Sequence, residues 1–105
     1  MRRSAAEDHQ EHAPPRLIAA LGERDPQLRI IAAASLGEIS DSAAVPALIN
    51  AYPSDDARLR YAVVRALADT DDRRGTATLT LARQDSDRIV RHAAAEAFKD
   101  RHDDD

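Results

Sequence analysis

A stretch of this chain recurs at a constant step, and that step limits the fold more than any other property. Arg29, Arg60 and Arg91 stand 31 residues apart, as do Asp25, Asp56 and Asp87, then Leu28, Leu59 and Val90, then Leu36, Leu67 and Phe98. Self-similarity at a period of about 20 to 50 residues marks arrays in which each unit buries its apolar face only by stacking on its neighbours. The middle copy, Asp56 to Leu67, has one version of itself on each side.

Within each copy the apolar residues follow helical spacing. Asp25-Pro26 reads as an N-cap followed by proline at the first helical position, and Leu28, Ile31, Ala32, Ser35 and Leu36 then predict one continuous buried stripe. Gly37 lies near the C-terminal end of that helix, Ser40-Asp41-Ser42 form the turn, and Val45 to Ile49 open a second helix that stops before Pro53. The next unit repeats the pattern with Asp56 as cap, Leu59, Ala62, Val63, Ala66 and Leu67 as stripe, and Thr70-Asp71-Asp72 as turn. Its second helix, Gly75 to Arg83, carries three threonines that alternate with apolar residues, a pattern equally compatible with a strand. Register decides for helix, because Leu79 takes the place of Leu48 and Leu17. The third copy runs from Asp87 to about Asp100 with Val90, Ala93, Ala94, Ala97 and Phe98 as its stripe, and Pro14-Pro15 open a leading helix that Gly22 ends. The expected fold is all-α: a right-handed α-α superhelix of about six helices in three antiparallel pairs over residues 14–100, with a flexible tail at 1–13 and an acidic tail at 101–105.

Composition narrows the function classes. A chain of 105 residues holds one domain and one core. The absence of cysteine removes disulfides, thiolate chemistry and Cys-ligated metals, and no apolar run approaches a membrane span, so a soluble cytoplasmic protein with no membrane partner is expected. A net charge of −4 disfavours sequence-independent nucleic-acid binding, which draws on neutralised phosphates.

The pattern carried by Asp25 to Ile49, Asp-x-x-Leu-Arg-x-x-Ala-x-x-x-Leu-Gly-Glu-Ile-Ser-Asp-x-x-Ala-Val-Pro-Ala-Leu-Ile, resembles the HEAT-like repeats of the phycobilisome-lyase type. The resemblance extends over about Pro14 to Phe98; it is good over Asp56 to Leu67 and poor over Thr76 to Arg83, where Thr76 and Ala77 replace the Val45 and Pro46 positions. It implies a curved scaffold that holds other proteins, and for some members an accessory role beside a chromophore lyase. A branch resembling deoxyhypusine hydroxylase binds two irons through His-Glu pairs; this chain has no His-Glu dipeptide, so neither that activity nor its metal carries over. A nucleic-acid-binding branch, the alkylpurine DNA glycosylases, uses a basic, aromatic concave face, from which an acidic chain with only Tyr52, Tyr61 and Phe98 departs.

Candidate sites divide into structural and binding residues. The ladder Arg29, Arg60, Arg91 offers guanidiniums one repeat apart for an acidic partner, but its joint recurrence with Asp25, Asp56 and Asp87 fits better with arginines pairing to helix-start aspartates and locking the stack. Asp55-Asp56 and Asp71-Asp72 fall at cap and turn positions without a nucleophile or base beside them, so no catalytic residue and no cofactor is expected. His9 and His12, with Glu7 or Asp8 nearby, would make a metal-binding pair only if the leading tail were helical, and they lack supporting neighbours; His92 lies on a helix and His102 precedes the acidic end, and none is expected to hold a metal. The surface expected to receive a partner is the outward side of the second helices, which line the concave face of such arrays: Arg16, Ala19 and Glu23, then Ala47, Asn50 and Ser54, then Thr78, Leu81 and Asp85. Uncovered array ends, around Ile18 or Leu21 and Val90 or Phe98, offer a second place to meet another chain or a second copy. The expected function is a non-catalytic protein-protein interaction scaffold, with an accessory subunit of a lyase-type complex as the alternative and nucleic-acid binding as the weaker one.

Overall fold

A computed structural model of the chain describes residues 14–103, with side chains over 14–99. Among the described residues there are six α-helices and no strand: α1 (Pro15–Ala20), α2 (Pro26–Ile39), α3 (Val45–Ala51), α4 (Ala57–Thr70), α5 (Thr76–Ala82) and α6 (Arg88–Asp103). Short 3-10 turns, Ser42–Ala44 and Arg73–Gly75, lead into α3 and α5. Three long helices thus alternate with three short ones, and each short helix packs against the long helix that follows it. Helix α4 touches α2, α3, α5 and α6, which makes it the hub of the array.

Aspartates start the helices. The carboxylates of Asp25, Asp56 and Asp87 accept from the backbone N–H groups of Gln27, Arg58 and Ile89, and those of Asp41 and Asp72 accept from Ala43 and Arg74 at the 3-10 turns. Each satisfies a donor that the helix leaves without a partner. Helices α2 and α4 end on left-handed residues, Ser40 (φ 58°) and Asp71 (φ 53°), again one repeat apart. The threonine-rich segment is helical over Thr76–Ala82, and the Thr80 hydroxyl donates 2.9 Å to the carbonyl of Thr76 one turn back. The core is built from Leu36, Leu48, Leu59, Leu67 and Leu79 with Val45, Val63, Val64 and Val90, all fully buried, and alanines fill the spaces between them. Burying such a leucine or valine contributes roughly 1.5 to 3 kcal/mol.

Two sequence expectations are corrected here. The stripe of α2 is Ala32, Ala33, Leu36 and Gly37; Leu28 is 46% and Ile31 53% exposed, whereas their counterparts Leu59, Val90, Ala62 and Ala93 are buried. The reason is positional: α4 and α6 each have a long helix on the side carrying those residues, and α2 has none among the described residues. Of the end residues expected to lie partly open, Leu21 or Ile18 and Val90 or Phe98, Ile18 and Phe98 are partly buried, and Leu21 and Val90 are buried. Gly37 stands near the C-terminal end of its helix, as expected. It lies two residues inside the end of α2, and a Cβ there would stand 2.9 Å from the Ala66 Cα and 3.1 Å from its Cβ. The missing side chain lets α2 and α4 approach closely. Gly37→Ala is therefore expected to destabilise by about 1 to 3 kcal/mol through overpacking, despite alanine's better helix propensity. Gly22, whose added Cβ would meet only the Ala19 carbonyl oxygen at 3.6 Å, is the control, with Gly22→Ala neutral or mildly stabilising in urea denaturation. The last helix also runs to Asp103, past the expected boundary near Asp100.

Candidate protein-binding face

The arginine ladder forms, with partners other than those expected. Arg29, Arg60 and Arg91 each turn back six residues, and Nη1 donates to the carbonyl oxygens of Glu23 (2.7 Å), Ser54 (2.8 Å) and Asp85 (2.8 Å). Those carbonyls lie just beyond the short helices, so each arginine ties the loop after a short helix to the first turn of the next long one. Arg29 and Arg91 reach a second loop carbonyl as well, Arg24 and Ser86. The helix-start aspartates spend their carboxylates on backbone N–H groups. Asp56 additionally pairs with Arg58 beside it rather than with Arg60.

Arg60 alone crosses to the next unit. Its Nε and Nη2 form a fork on Asp85 Oδ2 (2.9 Å) and Oδ1 (3.0 Å), the Tyr52 hydroxyl donates to the same carboxylate, and the Asp87 N–H donates to Oδ1 at 2.9 Å. The side chains of Arg60 and Asp85 are 14% and 4% exposed, so this is a buried, bidentate ion pair with its acceptor saturated. Burial by itself would raise the Asp85 pKa; the Arg60 fork, then the Tyr52 hydroxyl and the Asp87 N–H, outweigh it and lower the pKa from 3.8 to about 2. Burial first, then Asp85, pushes the Tyr52 phenol from 10.0 up to about 12. The signs fix a stability profile. Asp85 is more acidic folded than unfolded, so its stabilisation is complete above 3.8 and is lost as the pH falls toward 2. Tyr52 is less acidic folded, so its share is complete below 10.0 and is lost as the pH rises toward 12. Urea midpoints measured across both windows are expected to fall at each edge, and Tyr52→Phe is expected to flatten the alkaline edge.

Thr78 and Asp85, expected on the solvent side of the second helices, are buried. Helix α5 is short and covered by both α4 and α6, and Asp85 lies beyond its C-cap, Arg83, where helical spacing no longer assigns a face. Of the rest of that surface, Arg16, Ala19, Glu23, Asn50 and Leu81 are exposed, and Ala47 and Ser54 are partly buried. His9 and His12 lie outside the described residues; His92 is exposed, 3.9 Å from Glu96. Among the described residues no group of three or more acidic or histidine side chains is placed to hold a metal.

Two concave features of the surface lie between the long helices. One groove runs between α2 and α4, walled by Ile30, Ala34, Ala62 and Ala66, with Arg58 and Ile89 near one end and Glu38 and Asp69 at the other. A second runs between α4 and α6, lined by Tyr61, Arg65, Asp69, Ile89, His92 and Glu96. Tyr61 and Arg65 form the ridge between them. Arg65 Nη1 donates 2.9 Å to the Tyr61 hydroxyl, and its guanidinium carbon stands 5.9 Å from the ring centroid. Helical spacing gives no sign of the grooves, which depend on how far apart alanine-lined helices stand.

Antiparallel helix pairs related by a constant step, with the same arginine-to-carbonyl tie at each junction, define the chain as an α-α solenoid. The family model for HEAT repeats matches residues 14–99, and the chain belongs to that family. HEAT repeats generally serve as protein-interaction scaffolds. No curated protein matches the chain. No described helix is long and apolar enough to cross a membrane.

Proposed function

We propose that this chain is a non-catalytic binding module that holds a segment of another protein across α2, α4 and α6. The observation that carries this reading is the pair of adjoining grooves on either side of the Tyr61–Arg65 ridge. Alanine and isoleucine walls accept small apolar side chains, and Glu38 and Asp69 stand near the C-terminal ends of α2 and α4, where helix dipoles add negative potential. The occupant that fits is an amphipathic helix with an apolar stripe and a basic flank. The exposed side of the short helices, with Asn50 and Leu81, is the competing surface. Affinity capture from the native host with the intact chain, compared with Ala34→Arg/Arg65→Glu and Asn50→Arg/Leu81→Arg, separates the two. Loss of a dominant partner in the first variant and its retention in the second is the expected result; the reverse moves the site to the short helices. An accessory role in a lyase-type complex draws its support from the sequence of Asp25 to Ile49, and a captured chromophore-bearing partner is what it requires.

A further inference from the structure

We propose that copies of this chain stack head to tail, the α2 end of one copy seating on the α6 end of the next and joined by an ion pair between Glu23 and Arg91. The array already contains the interface twice. Helix α2 covers Leu59 and Ala62 of α4, and α4 covers Val90 and Ala93 of α6; Leu28 and Ile31 hold the same positions on α2 and are exposed. The side of α4 that does the covering is polar, with Tyr61, Arg65 and Asp69 lining the groove, and Ala93 of α6, which lines the same groove, is nevertheless buried. One repeat further on, α6 presents His92 and Glu96 at the Tyr61 and Arg65 positions. A polar outer face on α6 is thus a fit cover for an apolar one on α2.

Charge sets the direction. Arg60 grips Asp85, in the loop before the next long helix. Arg91, one repeat later, makes the same tie to its own loop through Nη1, and among the described residues no carboxylate pairs with it. The counterpart of Asp85 at the start of the array is Glu23, whose carbonyl takes the corresponding tie from Arg29 and whose side chain is exposed. A second copy set on α6 in the register of the array brings its Glu23 to Arg91 and its Leu28 and Ile31 against α6. Two α2 ends meeting face to face would cover the apolar pair but leave Arg91 without its acid. The contact is heterologous and does not close on itself, so it builds chains rather than pairs.

Sedimentation velocity of the intact chain and two variants tests this. Ile31→Asp blocks the α2 end. Ala95→Arg blocks the α6 end at an exposed position equivalent to the buried Ala33 and Val64, and it leaves the Arg91 loop tie untouched. The intact chain is expected to grow past a dimer as concentration rises, each variant alone to stay monomeric, and their equimolar mixture to stop at a dimer, since it holds one good end of each kind. A monomeric intact chain up to about 1 mM, the limit of roughly 4 kcal/mol of association free energy, overturns the proposal. So does dimerisation of Ala95→Arg alone, which is the signature of a symmetric α2-to-α2 pair. So does an assembling intact chain whose two variants fail to complement.

Discussion

Asp85→Ala is expected to lower the unfolding free energy by about 3 to 5 kcal/mol, because it breaks a buried ion pair from one side. The Arg60 fork would then be buried without a counter-charge, and the Tyr52 hydroxyl and Asp87 N–H would lose their acceptor at the same time. Removing both charges is a different experiment. Asp85→Leu with Arg60→Met leaves no orphaned ion, and buried pairs exchanged for apolar groups of similar volume are often close to neutral. The double variant is therefore expected to be more stable than Asp85→Ala. A double-mutant cycle in urea measures the pairing directly. A cost below about 1 kcal/mol for Asp85→Ala would place the pair in the class of solvated surface bridges and remove it as the lock between the second and third units.

Leu67→Ala is expected to cost about 2 to 5 kcal/mol, the range for a leucine removed from a rigid core. Leu67 is fully buried on α4, the helix that touches α2, α3, α5 and α6. The turn before α5 rests on it so closely that a Cβ on Gly75 would stand 3.3 Å from its Cδ2. Its carbonyl also accepts from the Asp71 N–H at 3.2 Å and the Thr70 hydroxyl at 3.1 Å, so the end of α4 and the following turn are anchored at one residue. A cavity there is bordered by several elements, none of which can close it without disturbing the others. Leu81→Ala is the comparison: at 60% exposure Leu81 creates no cavity, and the change is expected to stay within about 0.5 kcal/mol. Thermal and urea unfolding of the two variants side by side gives the contrast.

The repeat step, the helix starts and the central stripe were legible because each depends on local chemistry. An aspartate caps whatever helix follows it, and Leu59, Ala62, Val63, Ala66 and Leu67 lie on one face of any helix they form. The fate of Leu28 and Ile31 was not legible, because periodicity says which residues share a face and not whether a neighbour covers it. Gly37 lies near the end of its helix as expected, but its contact was hidden for a related reason, because only the approach of Ala66 shows why no side chain fits there. The arginine partners were hidden because a main-chain carbonyl has no sequence signature. Even so, Glu23, Ser54 and Asp85 each precede their arginine by six residues, a spacing that held the clue. Asp85 was assigned to solvent by extending helical spacing past the end of α5. The grooves between the long helices follow from interhelical distance, which small side chains leave open and no single residue encodes.

The tie from each arginine to the carbonyl six residues before it has a bearing on how the molecule can be enlarged. Donor and acceptor belong to one short run of sequence, and the aspartate cap of the same helix start lies within that run too. The bend between one unit and the next is thus written locally, like a hinge whose two leaves and pin are cut from a single piece. A duplicated segment from Asp56 to Ser86 would carry its own copy of the bend, and the array would lengthen by one unit along the same curve while both ends kept the chemistry they have now.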